Sequence, residues 1–176
     1  MQKLFTFIGL VVFSFFVSTT THAQAVEFFG TPSSAISSGA VIPEGKKMFW
    51  SSGVVADVAD SSAQVGTYAR FGNTKTQALS ILKKLQGALA KQKLTFKDVL
   101  YLRVYVAPDM FQNNKFDFQG WFDAYAQYFG TKENPIKPCR STIGIATLVQ
   151  PDKFIEIELV AVYWVHIPDQ LIHHTS

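Results

Sequence analysis

Cysteine is nearly absent: Cys139 is the single thiol in 176 residues, which excludes an intramolecular disulfide and a self-sufficient thiolate metal site. Charge is also sparse. Asp, Glu, Lys and Arg make up 16% of the chain and leave a formal net charge of +3, too small a surplus to argue for nucleic acid or an acidic membrane as partner. There are four histidines, and the adjacent His173 and His174 stand in the tail without a clustered set of Cys or carboxylate partners, so they read as a solvated pair with no metal. Internal repeats and low-complexity stretches are missing too. What remains is apolar and aromatic: 48% of residues are hydrophobic and 16 are Phe. Without cross-links, such a chain is stabilised by core packing and by burying surface against other subunits.

The first residues form a separate unit. Lys3 precedes an uncharged, largely apolar run from Leu4 to Val17, and small or polar residues follow, including Thr21-His22-Ala23. This is the pattern of a secretory leader, and its apolar run is shorter than the roughly 20 residues that span a bilayer. Cleavage after Ala23 is expected, giving an exported protein, periplasmic or secreted, with no membrane association once the leader is gone. Cutting there leaves 153 of the 176 residues, with a net charge of +2 once Lys3 is removed. That length fits one domain. The expected divisions are leader 1–23, an extended leading segment 24–39, a folded domain 40–165 and a tail 166–176.

Within the domain, Ala40-Val41-Ile42 and Lys47 to Ser51 flank Pro43-Glu44-Gly45-Lys46, a pattern that predicts a β-hairpin. Gly53 interrupts the strand pattern and suggests a bulge or a close backbone approach. Ala78, Ile81, Leu82, Leu85, Ala88 and Leu89 recur at helical spacing and predict an amphipathic helix over 74–91. Leu100, Leu102, Val104 and Val106 alternate with Tyr101, Arg103 and Tyr105, predicting a strand over 99–107. A second helix is expected from Phe118 to about Gly130, with Phe118, Trp121, Phe122, Tyr125 and Phe129 as its core stripe. Strands 141–148 and 154–164 complete an α+β fold, a mixed sheet with two helices on one face. The other face then needs cover, which self-association supplies.

The ordered segments Thr76-Gln77-Ala78-Leu79, Phe96-Lys97-Asp98-Val99, Arg103-Val104-Tyr105-Val106, Tyr125 to Gly130, Pro138-Cys139-Arg140-Ser141-Thr142 and Ile155-Glu156-Ile157-Glu158 resemble the RidA/YjgF reactive-intermediate deaminases. The longer loop before the second helix resembles a leader-bearing branch of that family. The resemblance implies a chorismate-mutase-like subunit, a homotrimer around a central barrel, and pockets between subunits that need no cofactor. It places the family's carboxylate-clamping Arg on Arg140 and its water-activating Glu on Glu156. Ser52 and Gly53 then line the pocket, with Thr142 beside the bound carboxylate. Where the family has a Tyr before the first strand this chain has Ser37, and where a Gln usually follows Ser-Gly it has Val54.

The chemistry implied is hydrolysis of 2-imino or enamino acids. A planar, five-donor guanidinium suits bidentate capture of a carboxylate, and a carboxyl group can orient water and move protons. Two other readings stay open. One is a non-catalytic module that binds small carboxylates in the same pocket; the other, less favoured by the low charge, is an endoribonuclease or translation inhibitor. Cys139 reads as a free structural thiol rather than a nucleophile.

Overall fold

The computed structural model describes residues 25–150 and 152–163. The expected leader and tail lie outside them. In chain order the elements are β1 (Glu27–Phe29), β2 (Gly39–Val41), β3 (Met48–Trp50), β4 (Val54–Val55), a single-turn α1 (Tyr68–Phe71), α2 (Thr74–Lys91), β5 (Val99–Val106), α3 (Phe118–Tyr125), β6 (Cys139–Gly144) and β7 (Ile155–Val162).

β7 is the axis of the main sheet. It pairs antiparallel with β5 on one side and with β3 and β4 on the other, and β6 adds parallel to the free edge of β5. Its side chains alternate strictly. Ile155, Ile157, Leu159 and Ala161 enter the core beneath the helices, whereas Glu156, Glu158, Val160 and Val162 point to the opposite face. α2 and α3 lie together on the first face, as expected of an α+β fold with a mixed sheet.

α2 spans the residues that its periodicity predicts. The Asn73 side chain caps it by accepting from Thr76 N at 2.9 Å, and Ala78, Ile81, Leu82, Leu85 and Leu89 are all fully buried. Gln77 is buried in the same face, but its amide is fully used. It donates to Gly72 O and Asp152 O, and accepts from Phe154 N at 2.8 Å. The start of α2 is thereby joined to the start of β7.

Three expectations need correction. Ala40-Val41-Ile42 and Lys47 to Ser51 do not form a hairpin with each other: β2 pairs with β1, and β3 pairs with β7. Pro43 to Lys46 is therefore a corner between two sheets, and the leading segment holds a strand. The physical reason is where the side chains find cover. Phe49 packs into the helix-side core, while Ala40, Ile42, Val26 and Phe28 close over Leu100, Val160 and Val162 on the other face. Leu100 was expected on the inner face with Leu102. A bulge between Val99 and Tyr101 turns it to the opposite side. The second helix is also shorter than its aromatic stripe. It ends at Tyr125, after which turns deliver Phe129 onto the Tyr125 ring, with centroids 4.9 Å apart, before Gly130 at φ 70°.

The face opposite the helices is covered only at the end where β1 and β2 lie. Elsewhere it exposes Trp50 at 64%, Met48 at 40% and Ile143 at 44%.

The helix packing predicts opposite effects at two neighbouring α2 positions. Leu85→Ala should lower stability to urea by about 2–5 kcal/mol through the cavity it leaves. Gly87→Ala, where an added methyl group meets nothing within 4 Å, should raise it by about 0.5–1 kcal/mol.

Candidate functional site

Arg140 sits on β6 in register with Leu102, so its side chain leaves the sheet on the helix side. There α3 surrounds it with rings. The guanidinium carbon lies 4.4 Å from the Tyr125 ring centroid, 4.9 Å from that of Phe122 and 5.6 Å from that of Trp121, each within range of cation–π attraction. The rings cannot satisfy its N–H groups. Nη1 is buried without a hydrogen-bond partner. Burial pulls the guanidinium below its ordinary pKa, but an arginine remains charged. The result is a desolvated cation with an unused donor, a good receptor for a planar anion.

The rings are themselves fixed. Trp121 is fully buried and donates from Nε1 to Thr142 Oγ1 at 3.2 Å, so Thr142 lies on the Arg140 side of β6. The Tyr125 hydroxyl donates to Ala35 O at 3.0 Å. Burial raises its pKa to about 12, with the Arg140 charge pulling the other way. Ser37, which stands where the resemblance has a tyrosine, donates from its hydroxyl to Lys137 O. Lys137 in turn donates from Nζ to Pro32 O and Ser34 O. Residues 32–38 are thus bound to the approach to β6.

Ser52, Gly53 and Glu156 form a second group. From Trp50 to Val54 the chain takes one residue more than the opposing stretch of β7, Val160 to Ile157, so Ser51 to Gly53 bulges. Ser51 bridges the interruption by donating from N to Leu159 O and accepting from Leu159 N at its Oγ. The Glu156 carboxylate lies directly against Gly53: a methyl group added there would stand 1.8 Å from Oε1. Gly53 leaves open the space that this Glu156 rotamer occupies. Ser52 and Gly53 are exposed and Glu156 is half-buried, so this group opens to the surface.

The two groups do not meet within one chain. β5 separates β6 from β7. Glu156 is paired with Tyr105 and shares its face, whereas Arg140 shares the face of Leu102 and Leu159. They lie on opposite sides of the sheet. On the Glu156 side, Glu158 is already engaged by Arg103 at 2.5 Å, which leaves Glu156 as the carboxylate of that face beside Gly53.

The cage around Arg140 was not legible as a site. Phe122 falls in a helical stripe with Trp121 and Tyr125 and reads as core, yet it is 38% exposed and serves Arg140. Asn113 and Asn114, in the loop before α3, adopt left-handed backbone at φ 55°, a turn role. Among the described residues no group of three or more His, Cys, Asp or Glu could hold a metal ion.

Known proteins resemble the chain in both sequence and fold. The family model described as Endoribonuclease L-PSP matches residues 43–163. A Rid-family protein of unknown function from Yersinia pestis is 23% identical, with TM-score 0.59, covering 80% of this chain and all of that one. A protein from Vibrio vulnificus described as a putative translation initiation inhibitor is 24% identical, with TM-score 0.51, covering 78% of this chain and 99% of that one. E. coli TdcF with bound serine is 22% identical, with TM-score 0.51 and the same two coverages, 78% and 99%. No curated protein matches.

Two consequences of this geometry are measurable. The Tyr125 phenol keeps its proton in the folded state to a pH of about 12, against an ordinary 10.0. The stability it contributes is therefore present below pH 10 and falls as pH rises from about 10 to 12; urea unfolding across that window should decline more steeply for the native chain than for Tyr125→Phe. Gly53→Ala should displace the flexible Glu156 carboxylate while leaving the fold within about 1 kcal/mol of the native chain. A crystal structure of that variant would show Glu156 in a new rotamer.

Proposed function

The chain belongs to the YjgF/YER057c/UK114 (Rid) family, and from that premise we propose that it hydrolyses 2-imino or enamino acids in pockets formed between copies of itself. The observation that carries this reading is the buried, unpartnered Nη1 of Arg140 inside its three-ring cage. Such a guanidinium binds a substrate carboxylate bidentately, and the rings hold the fork in one orientation.

The remaining chemistry is modest. Water adds to the imine carbon, the nitrogen gains protons, and the carbinolamine collapses to a keto acid and ammonia. Glu156 orients the water and transfers the protons, next to the exposed Ser52-Gly53 backbone. No cofactor enters these steps. Because Arg140 and Glu156 face opposite sides of the sheet, the pocket draws one from each of two copies. The exposed Trp50, Met48 and Ile143 on the incompletely covered face favour association, and the arrangement proposed is a homotrimer with these faces lining a central barrel. E. coli TdcF, a member of the same family, has bound serine, a molecule with the same carboxylate handle. The expected leader would place the reaction outside the cytoplasm.

A non-catalytic carboxylate-binding module is the second reading. It is favoured by Ser37, whose hydroxyl is engaged by Lys137 O and brings no ring to the ligand.

Purified protein beginning at Gln24 should accelerate the hydrolysis of freshly generated 2-iminopropanoate. Arg140→Ala and Glu156→Gln should each reduce the acceleration by about 10²-fold or more. Co-expressing the two inactive variants should recover about a quarter of the native activity, since random assembly leaves one pocket in four with both groups intact. No recovery would refute the shared pocket. A folded, assembled native protein that binds pyruvate without accelerating hydrolysis would establish the binding module instead.

A further inference from the structure

A cavity of about 680 Å³ lies within a single copy, between the loop 56–73, α2 and the connection that leads into β7. Neither Arg140 nor Glu156 lines it. Its walls are largely apolar, with Val58, Val65, Phe71 and Met110 among them, and three cations and two carboxylates, Asp57 and Asp152, stand at its margin.

Those cations are not equivalent. Lys84 is neutralised by Asp57 at 2.7 Å and donates to Val55 O. Lys153 is only 4% exposed, and its Nζ donates to one carbonyl, Ala56 O at 2.5 Å, while standing 3.4 Å above the Phe71 ring centroid. An ammonium has three N–H donors. One carbonyl and one ring are thin compensation for burying it. Arg70 approaches the same ring, its guanidinium carbon 6.0 Å from the centroid, and donates from Nη1 to Ala63 O at 2.9 Å. Among the described residues, no carboxylate lies within ion-pair distance of either Lys153 or Arg70. Two cations without a carboxylate at ion-pair distance therefore share one aromatic ring at the wall of a largely apolar cavity, with Asp152 the strongest opposing charge on Lys153.

We propose that this cavity binds a monocarboxylate with an apolar tail, its anionic group held by Lys153 and Arg70 over Phe71 and its tail along Val58, Val65 and Met110. A carboxylate there would supply the acceptors that both cations lack and relieve their mutual repulsion. The apolar walls select against compact, fully hydrated anions, because a sulfate or phosphate leaves those walls wet. Burial is the main influence on the Lys153 ammonium and lowers its pKa; Asp152 pulls it back up, Lys84 presses it down, and Asp57 and Arg70 act in the same two opposed senses.

The test uses octanoate, octanamide and the assembled native protein in calorimetric titrations. Octanoate should bind at least tenfold more tightly than octanamide. Lys153→Met, which keeps the stem and removes the charge, should weaken octanoate by about ten- to a hundredfold and leave octanamide unchanged. Arg70→Gln, at a half-exposed position that does not risk the fold, should weaken octanoate in the same direction. Arg140→Ala should leave the Lys153-dependent binding of octanoate in place. Octanoate binding that is absent from the native protein, equal to that of octanamide, insensitive to both Lys153→Met and Arg70→Gln, or abolished by Arg140→Ala would overturn the proposal.

Discussion

The alternation of β7 is the constraint on which the rest of the molecule depends. Eight consecutive residues send four side chains into the helix-side core and four to the other face. A shift of one residue would bury Glu156 and Glu158 under α2 and α3, without partners and at a cost of several kcal/mol each. The same alternation fixes both neighbours. β5 must match it on one side, and its bulge at Val99 to Tyr101 keeps Leu102, Val104 and Val106 in step while giving Leu100 to the other face. β3 and β4 must match it on the other side. There the extra residue at Ser51 to Gly53 accommodates the mismatch, at the point where Glu156 needs room.

The position of Arg140 follows from a different balance. A guanidinium facing three rings is attracted to them and still lacks hydrogen bonds. α3 supplies the rings, and it is short because the sequence after Tyr125 serves another purpose, stacking Phe129 on the same aromatic cluster. Trp121 is locked through Thr142 and Tyr125 through Ala35, so the cage has little freedom to collapse around the charge.

Much of this architecture is legible in the sequence because it is local. α2 has a long, clean period and a capping Asn73, and its bounds emerge unchanged. β5 and β7 show their alternation directly, and Gly53 announces the bulge. The misreadings share one cause. Pro43-Glu44-Gly45-Lys46 has good turn chemistry, but turn chemistry does not say which strands will pair, and the two flanking segments found better cover on opposite faces of the sheet. Phe122 has the spacing of a core residue, and only the placement of Arg140 on the adjoining edge strand shows why it is half outside. Lys153, in the connection before β7, carries no sequence signal of burial. Its burial depends on Phe71, which is more than eighty residues earlier in the chain.

The bond between Ser37 and Lys137 joins residues one hundred positions apart. Closing a loop of that size forfeits chain entropy that other contacts must offset, as it does for the β3–β7 pairs, which lie still farther apart in the chain. The backbone that leads Arg140 onto β6 is therefore held by residues of the leading segment, so the cage around Arg140 rests on a part of the chain that local sequence cannot bring to it.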